Sequence, residues 1–191
     1  MFAEAGLPQV LSDELLLLVL QMFKLTDQPS LRIGYNSMGA DCIINNLHFH
    51  VFTTNNLYGV GDDRNLPIEN ADKKLFFKST LQHRDKEEIN MYNCGVRFGE
   101  VLNFPVRALL ISPDIISEET SLEDAQEALA HACGVAINLM IDLNVPHNIL
   151  VTDEGMTVFV IPRKFDMLIE NVPFYTSFES LSGFVKYKTQ Q

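Results

Sequence analysis

Cys42-Ile43-Ile44-Asn45-Asn46-Leu47-His48-Phe49-His50-Val51-Phe52 alternates polar and apolar residues. A period of two marks a half-buried strand, because successive side chains point to opposite faces. The spacing predicts a strand over residues 42–53, with Leu47, Phe49 and Val51 turned to a core. Asn46, His48 and His50 then line the other face, neighbours about 6.5–7 Å apart at ~3.3 Å per residue. Two imidazoles so spaced reach one small charged group. That suits chemistry on a phosphate, or the binding of a metal.

A histidine taken alone is more often a surface residue or a satisfied core residue. Two on one polar strand face, with apolar neighbours behind them, shift the balance toward function. Neutral imidazole is a common metal ligand, so a His-x-His metal protein is one alternative. A metal needs further ligands, and the remaining histidines are His83, His131 and His147, with no ligand spacing such as His-x3-His. No metal site is therefore assigned, and no cofactor is expected.

At 191 residues the chain is long enough for a real core. Its 47% apolar and 20% charged residues form an ordinary globular balance, which argues against global disorder. The net charge of −11, from 14 basic and 25 acidic residues, repels phosphate backbones and anionic lipid. Nucleic acid and membrane surfaces are thus unexpected partners. An anionic ligand would need a locally basic site. Cys42, Cys94 and Cys133 form no C-x-x-C pair and read as reduced, buried thiols of an intracellular protein. The apolar run Leu15–Leu20 falls short of the ~20 residues that span a bilayer. It follows helix-start residues rather than a basic leader, so a cytoplasmic protein is expected.

Ser12 caps a predicted helix over 12–24, apolar nearly all round and so buried on most sides. A short strand is expected over Leu31–Tyr35, then a turn through Asn36-Ser37-Met38-Gly39-Ala40. Residues 53–56 and 59–63 have loop composition. A charged insertion occupies 81–92, and Val106–Ile111 reads as a buried strand. Thr120 and Glu123 have capping-box spacing, ahead of helical periodicity from Leu122 to about Leu143. Asn144-Val145-Pro146 ends that helix. His147–Thr152 and Met156–Ile161 flank Asp153-Glu154-Gly155 as a hairpin. The order predicts one α+β domain over 1–191, a mostly antiparallel sheet with helices on one face. Its parts are 1–80 with the histidine strand, the insertion, 93–165, and a tail over 166–191.

Arg32-Ile33-Gly34-Tyr35-Asn36-Ser37-Met38-Gly39-Ala40, running into Ile44-Asn45-Asn46-Leu47-His48-Phe49-His50, resembles the GDP-hexose phosphorylases, both GDP-L-galactose and GDP-D-glucose types. These belong to the histidine-triad superfamily, near galactose-1-phosphate uridylyltransferase. The likeness continues through Leu66-Pro67-Ile68-Glu69-Asn70-Ala71, Phe104–Leu109, Val145–Asp153 and Phe159–Arg163. It implies a histidine-triad-like sheet and a phosphorolysis of GDP-hexose by inorganic phosphate to GDP and hexose 1-phosphate. It further implies a guanylyl-histidine intermediate on His48, a neutral nitrogen nucleophile. His50 would donate to the phosphoryl oxygens or the leaving group. Asn36 falls where related transferases place an Asn near the substrate phosphates. In such sites a main-chain carbonyl of the motif fixes the nucleophile's tautomer. Arg32, Arg107 and Arg163, with Asn46, are candidates to line the site, each arginine being otherwise a surface charge.

Asn46 stands where the family has histidine, and Ser182-Gly183-Phe184 where it has Gly-His. Family members are about twice this length, so the sheet is expected to be incomplete at its N-terminal side. A homo- or hetero-oligomeric partner is one way to complete that edge. A second reading follows, a weak or inactive relative that serves as a nucleotide-binding or structural subunit.

Overall fold

Ser12 starts the first helix as its sequence indicates. Its hydroxyl accepts from Leu15 N at 3.3 Å, and Asp13 and Glu14 sit in the first turn, where the helix dipole favours negative charge. A computed structural model of the chain describes residues 2–3, 6–42, 44–56, 65–80, 94–115, 120–164 and 178–183. The 59–63 loop, the 81–92 insertion, Phe184 and most of the 166–191 tail lie outside these residues.

The elements run β1 (Phe2–Ala3), α1 (Asp13–Met22), β2 (Leu31–Asn36), β3 (His48–Thr53), α2 (Pro67–Asn70), β4 (Lys73–Thr80) and β5 (Cys94–Val101). They continue with β6 (Leu109–Ile115), α3 (Leu122–Asp142), β7 (His147–Thr152), β8 (Thr157–Pro162) and α4 (Phe178–Leu181). One antiparallel sheet results, ordered β1-β3-β2-β7-β8-β6-β5-β4. The fold is α+β. Among the described residues, no helix is long and apolar enough to cross a membrane.

The two faces of the sheet are covered differently. Ile33, Tyr35, Phe49, Ile149, Val151, Val158 and Val160 pack under α1 and α3. Leu150, Phe159 and Ile161 pack instead with Leu66, Ile68 and Phe178, from the short helices α2 and α4. The long helices thus share one face, while α2 and α4 lie on the other. Two close approaches hold the layers. Gly134 lets α3 meet Asp13 of α1, where a Cβ would stand 2.7 Å from the Asp13 Cβ. Gln126, fully buried, donates to Leu20 O at 3.0 Å.

Several expected boundaries shift. The α1 helix is one-sided: Leu16, Val19 and Leu20 are buried, but Leu18 is 58% exposed, because only α3 and the sheet lie against it. The capping box of α3 is Ser121 with Asp124, one residue on from Thr120 and Glu123. Ser121 Oγ accepts from Asp124 N at 3.0 Å and Asp124 Oδ2 from Ser121 N at 3.4 Å. The same three-residue spacing fits both pairs, and the extended Ser121 backbone decides. The β6 strand begins at Leu109 and runs past Pro113. It pairs with β8 only over Leu109–Ile111, so beyond that point β6 needs no donor on that side. The β4–β5 pair, on either side of residues 81–93, has no assignment in the sequence reading.

The histidine strand starts at His48, not at residue 42. Asp41 takes φ 64° and Gly39 φ 80°, a turn that sends the chain away from β2. Leu47 N then donates to Leu7 O rather than into the sheet. Leu47 and Phe49 reach the core as expected, but Val51 is 37% exposed. The reason is its place near the sheet margin. Ala3 and Phe2 pair with His48 and Phe49, and among the described residues no strand continues this pairing along Val51–Thr53.

Gly34 marks the tightest contact on the second face. A Cβ there would lie 2.2–2.4 Å from three carbons of the Phe178 ring. Gly34→Ala should therefore displace that ring and cost about 1–3 kcal/mol, the usual range for overpacking. Urea denaturation measures it. The double substitution with Phe178→Ala should cost less than the sum of the single ones, because the clash is shared.

Candidate functional site

Register places the chemistry. Gly34 of β2 faces His50 of β3 and Leu150 of β7, and two residues on Asn36 faces Asn148. The pleat therefore sets His48, His50, Asn36 and Asn148 on the face opposite α1 and α3. His48 and His50 meet edge to face with ring centroids 5.4 Å apart. His48 is buried at 7% exposure, and His50 is half-buried.

The His48 ring is held by its own chain. Nδ1 lies 2.7 Å from Asn46 O. A carbonyl oxygen only accepts, so Nδ1 carries the proton and Nε2 of the neutral ring carries the lone pair. Asn46 lies outside the strand and is exposed, and its main chain, not its side chain, makes this contact. Gln9, which the sequence reading passed over, bonds the His48 backbone through its side chain. A lone glutamine far from the motif carries no local signal.

A second cluster adjoins the histidines. Asn36 Oδ1 accepts from Asn148 Nδ2 and from Phe178 N, the latter at 3.4 Å. Asn148 Nδ2 also donates to Ala40 O at 3.0 Å, and Asn148 Oδ1 accepts from the Arg163 guanidinium at 2.9 Å. Asn36 and Arg163, 127 positions apart, are thus joined through Asn148. The Phe178 ring lies 5.5 Å from the His50 ring and 5.7 Å from Phe52, flat over Gly34. Asn148 and Phe178 are further residues the sequence reading did not single out. The first lay within a noted motif, whereas the second had no pattern to reveal it.

The other two arginines stand elsewhere. Arg32, 2% exposed, faces Phe52 at the far end of β2 and forms a bidentate pair with Glu69, at 2.8 and 2.9 Å. It also donates to Pro29 O and Leu31 O, both at 2.7 Å. Glu69 Oε2 in turn accepts from Leu66 N at 2.8 Å, so this pair ties α2 to the sheet. Both residues border a cleft of about 650 Å³ that also includes Arg97, Thr152 and Thr157. Arg107 is exposed on the approach to β6, four strands from β3, or about 19 Å at ~4.8 Å per strand. Among the described residues, no three His, Cys, Asp or Glu side chains gather as a metal-ligand group.

His147, next to Asn148, points to the helix face. It is 3% exposed, its ring lies 6.3 Å from that of Tyr35, and Nδ1 lies 3.1 Å from Val145 O. Among the described residues, Nε2 is buried without a partner. Burial pushes its pKa below the ordinary histidine value, and the bond to Val145 O opposes that shift.

Two family models match the chain: GDPGP1-like, N-terminal domain, over residues 2–52, and GDPGP1-like, C-terminal domain, over 80–191. GDP-L-galactose phosphorylase 2 of Arabidopsis thaliana is 33% identical over 157 residues, which is 82% of this chain and 30% of that protein. GDP-L-galactose phosphorylase 1 of the same plant is 29% identical over 157 residues, 82% of this chain and 29% of its own length. GDP-D-glucose phosphorylase 1 of Xenopus laevis is 25% identical over 146 residues, 76% of this chain and 29% of that protein. The chain therefore spans 29–30% of the length of these relatives, less than the half expected from the sequence. No solved structure matches it.

His147 generates a pH dependence. Unfolded, it takes up a proton as pH falls through about 6.5, whereas its folded, buried ring resists protonation. The unfolded state then binds more protons, so stability is full above that pH and declines as pH drops toward 5. Thermal melts between pH 7 and 5 should show this decline, at about 2–4 °C per kcal/mol for a chain of this size. His147→Phe should flatten the slope; an unchanged slope would assign it to other groups.

Proposed function

Because this chain belongs to the GDPGP1-like family, we propose that it carries the histidine site of a GDP-hexose phosphorylase, a nucleotidyl transferase of the histidine-triad type. The names of its relatives supply the substrate class, GDP-hexose, with inorganic phosphate as acceptor. The observation that carries the reading is the 2.7 Å contact between His48 Nδ1 and Asn46 O, because it leaves the Nε2 lone pair as nucleophile.

In the first step Nε2 attacks the α-phosphorus of GDP-hexose. An N–P bond forms as the bridging P–O bond breaks, and hexose 1-phosphate departs. In the second step a phosphate oxygen attacks the same phosphorus, the N–P bond breaks, and GDP leaves with the Nε2 lone pair restored. His50, in edge contact with the nucleophile, donates to the phosphoryl oxygens as charge builds on them. Asn36 presents its Nδ2 to a phosphate oxygen, since its Oδ1 is engaged by Asn148 and Phe178. Arg163, bonded to Asn148, supplies positive charge that an acidic chain must place beside a dianion.

A second reading rests on Asn46, which replaces a histidine of the family motif. In that reading the chain binds the nucleotide as a weak or inactive subunit. Turnover separates the two. Incubation with GDP-mannose, GDP-glucose or GDP-L-galactose and phosphate should release GDP and trap an acid-labile guanylyl adduct. His48→Ala should abolish both, and His50→Ala should slow GDP release by about 10²–10³-fold, the usual loss for one transition-state donor. GDP binding without turnover on any of the three sugars would favour the second reading. Asn46→His should leave the rate unchanged or raise it, because the contact at this position is made by the main chain.

A further inference from the structure

Gln9 is polar, 2% exposed, and placed where a strand pair is missing. The β2–β3 register ends at Gly34 opposite His50. Two residues further, an antiparallel ladder would set Asn36 against His48 as the next hydrogen-bonded pair, with Cα atoms about 5.5 Å apart. The Gln9 carboxamide occupies that position instead. Its Oε1 accepts from His48 N at 2.9 Å, while its Nε2 donates to Asn36 O at 2.9 Å and to His48 O at 3.2 Å. Gln9 is itself anchored from two sides. Its carbonyl accepts from Tyr35 Oη at 2.8 Å, and its N–H donates to Asn45 Oδ1 at 3.0 Å.

We infer that Gln9 is a positioning residue for His48, acting as a wedge that ends the β2–β3 ladder one pair early. Were His48 paired directly with Asn36, residues 46 and 47 would continue as strand. Their carbonyls would then point sideways along the ladder, away from the imidazole two residues on. With the carboxamide inserted, the backbone leaves the ladder at residue 48 and the Asn46 carbonyl turns to Nδ1. The same amide touches the main chain of both Asn36 and His48, so it also sets the spacing between the proposed phosphate donor and the proposed nucleophile. A buried carboxamide suits this task because it offers an acceptor and two donors in one plane.

The inference rests on His48 being the nucleophile, and its test has an arm that does not need turnover. Gln9→Met removes all three side-chain bonds at similar volume. Long-range proton–nitrogen NMR of the His48 ring should show the Nδ1–H form in the native protein and a mixture of tautomers in Gln9→Met. With GDP-hexose and phosphate, kcat should fall about 10²-fold, as for a small misplacement of a reacting group, while KM stays within about threefold. Gln9→Glu adds a pH signature. Its neutral acid keeps one donor and one acceptor, whereas its carboxylate loses the donor and faces two carbonyl oxygens. The kcat profile should gain an ionisation absent from Gln9→Met, with the protonated form more active. A folded Gln9→Met protein that keeps the Nδ1–H form and the native kcat would overturn the inference. Should Gln9→Met fail to fold, Gln9→Glu decides on the same readouts. A native chain without turnover would remove the enzymatic reading alone, since the tautomer shift would still report on Gln9.

Discussion

The short hydrogen bond between the His48 ring and Asn46 O is the contact on which the polar face depends. A main-chain oxygen can only accept, so it fixes the imidazole tautomer whatever side chain position 46 carries. The chain can offer that oxygen only by leaving the sheet before residue 48. The Asp41 and Gly39 turn, the Leu47–Leu7 bond and the Gln9 carboxamide all serve this departure. A strand of period two and its interruption are therefore both needed, within four residues.

Around that contact the sheet separates two kinds of chemistry. One face is mainly hydrocarbon under α1 and α3, where burial supplies the main stabilisation. The other mixes a small apolar cluster with polar groups that satisfy one another. At one end Arg32 meets the Glu69 carboxylate in a buried pair, a geometry whose value depends on both partners being present. At the other end Arg163 meets the neutral amide of Asn148, which passes the contact on to Asn36.

Phe178 lies between these ends. Its ring rests on Gly34, touches His50 and Phe52, and its N–H bonds Asn36. Packing on this face is thus continuous with the candidate site, and interiors of this density pass on small displacements. The family match spans both segments that carry the candidate site, residues 2–52 with the histidines and 80–191 with Asn148, Arg163 and Phe178, whereas α2 of the same face lies between them. Neither segment alone holds the full set.

Local periodicity and capping chemistry were readable without coordinates. Ser12, the 122–142 helix, the hairpin about Asp153-Glu154-Gly155 and the strand character of His48–Phe52 all depend on residues within a few positions of one another. The expectation that a motif carbonyl would hold the His48 ring came instead from the family resemblance, and the Asn46 oxygen that does so is two residues away. The β4–β5 pair was not readable, because Lys73–Thr80 shows no alternation and its partner lies beyond a charged stretch. Nor was the start of β3 at His48, since the amide that ends the ladder belongs to Gln9, 39 residues away. The convergence of Asn36, Asn148 and Arg163 on one face was likewise a product of strand order. Sequence by itself determined the elements that carry a clear side-chain period or end cap, because both are local. Only the tertiary structure decided which elements became neighbours, because register and burial are set by partners the chain meets after long separations.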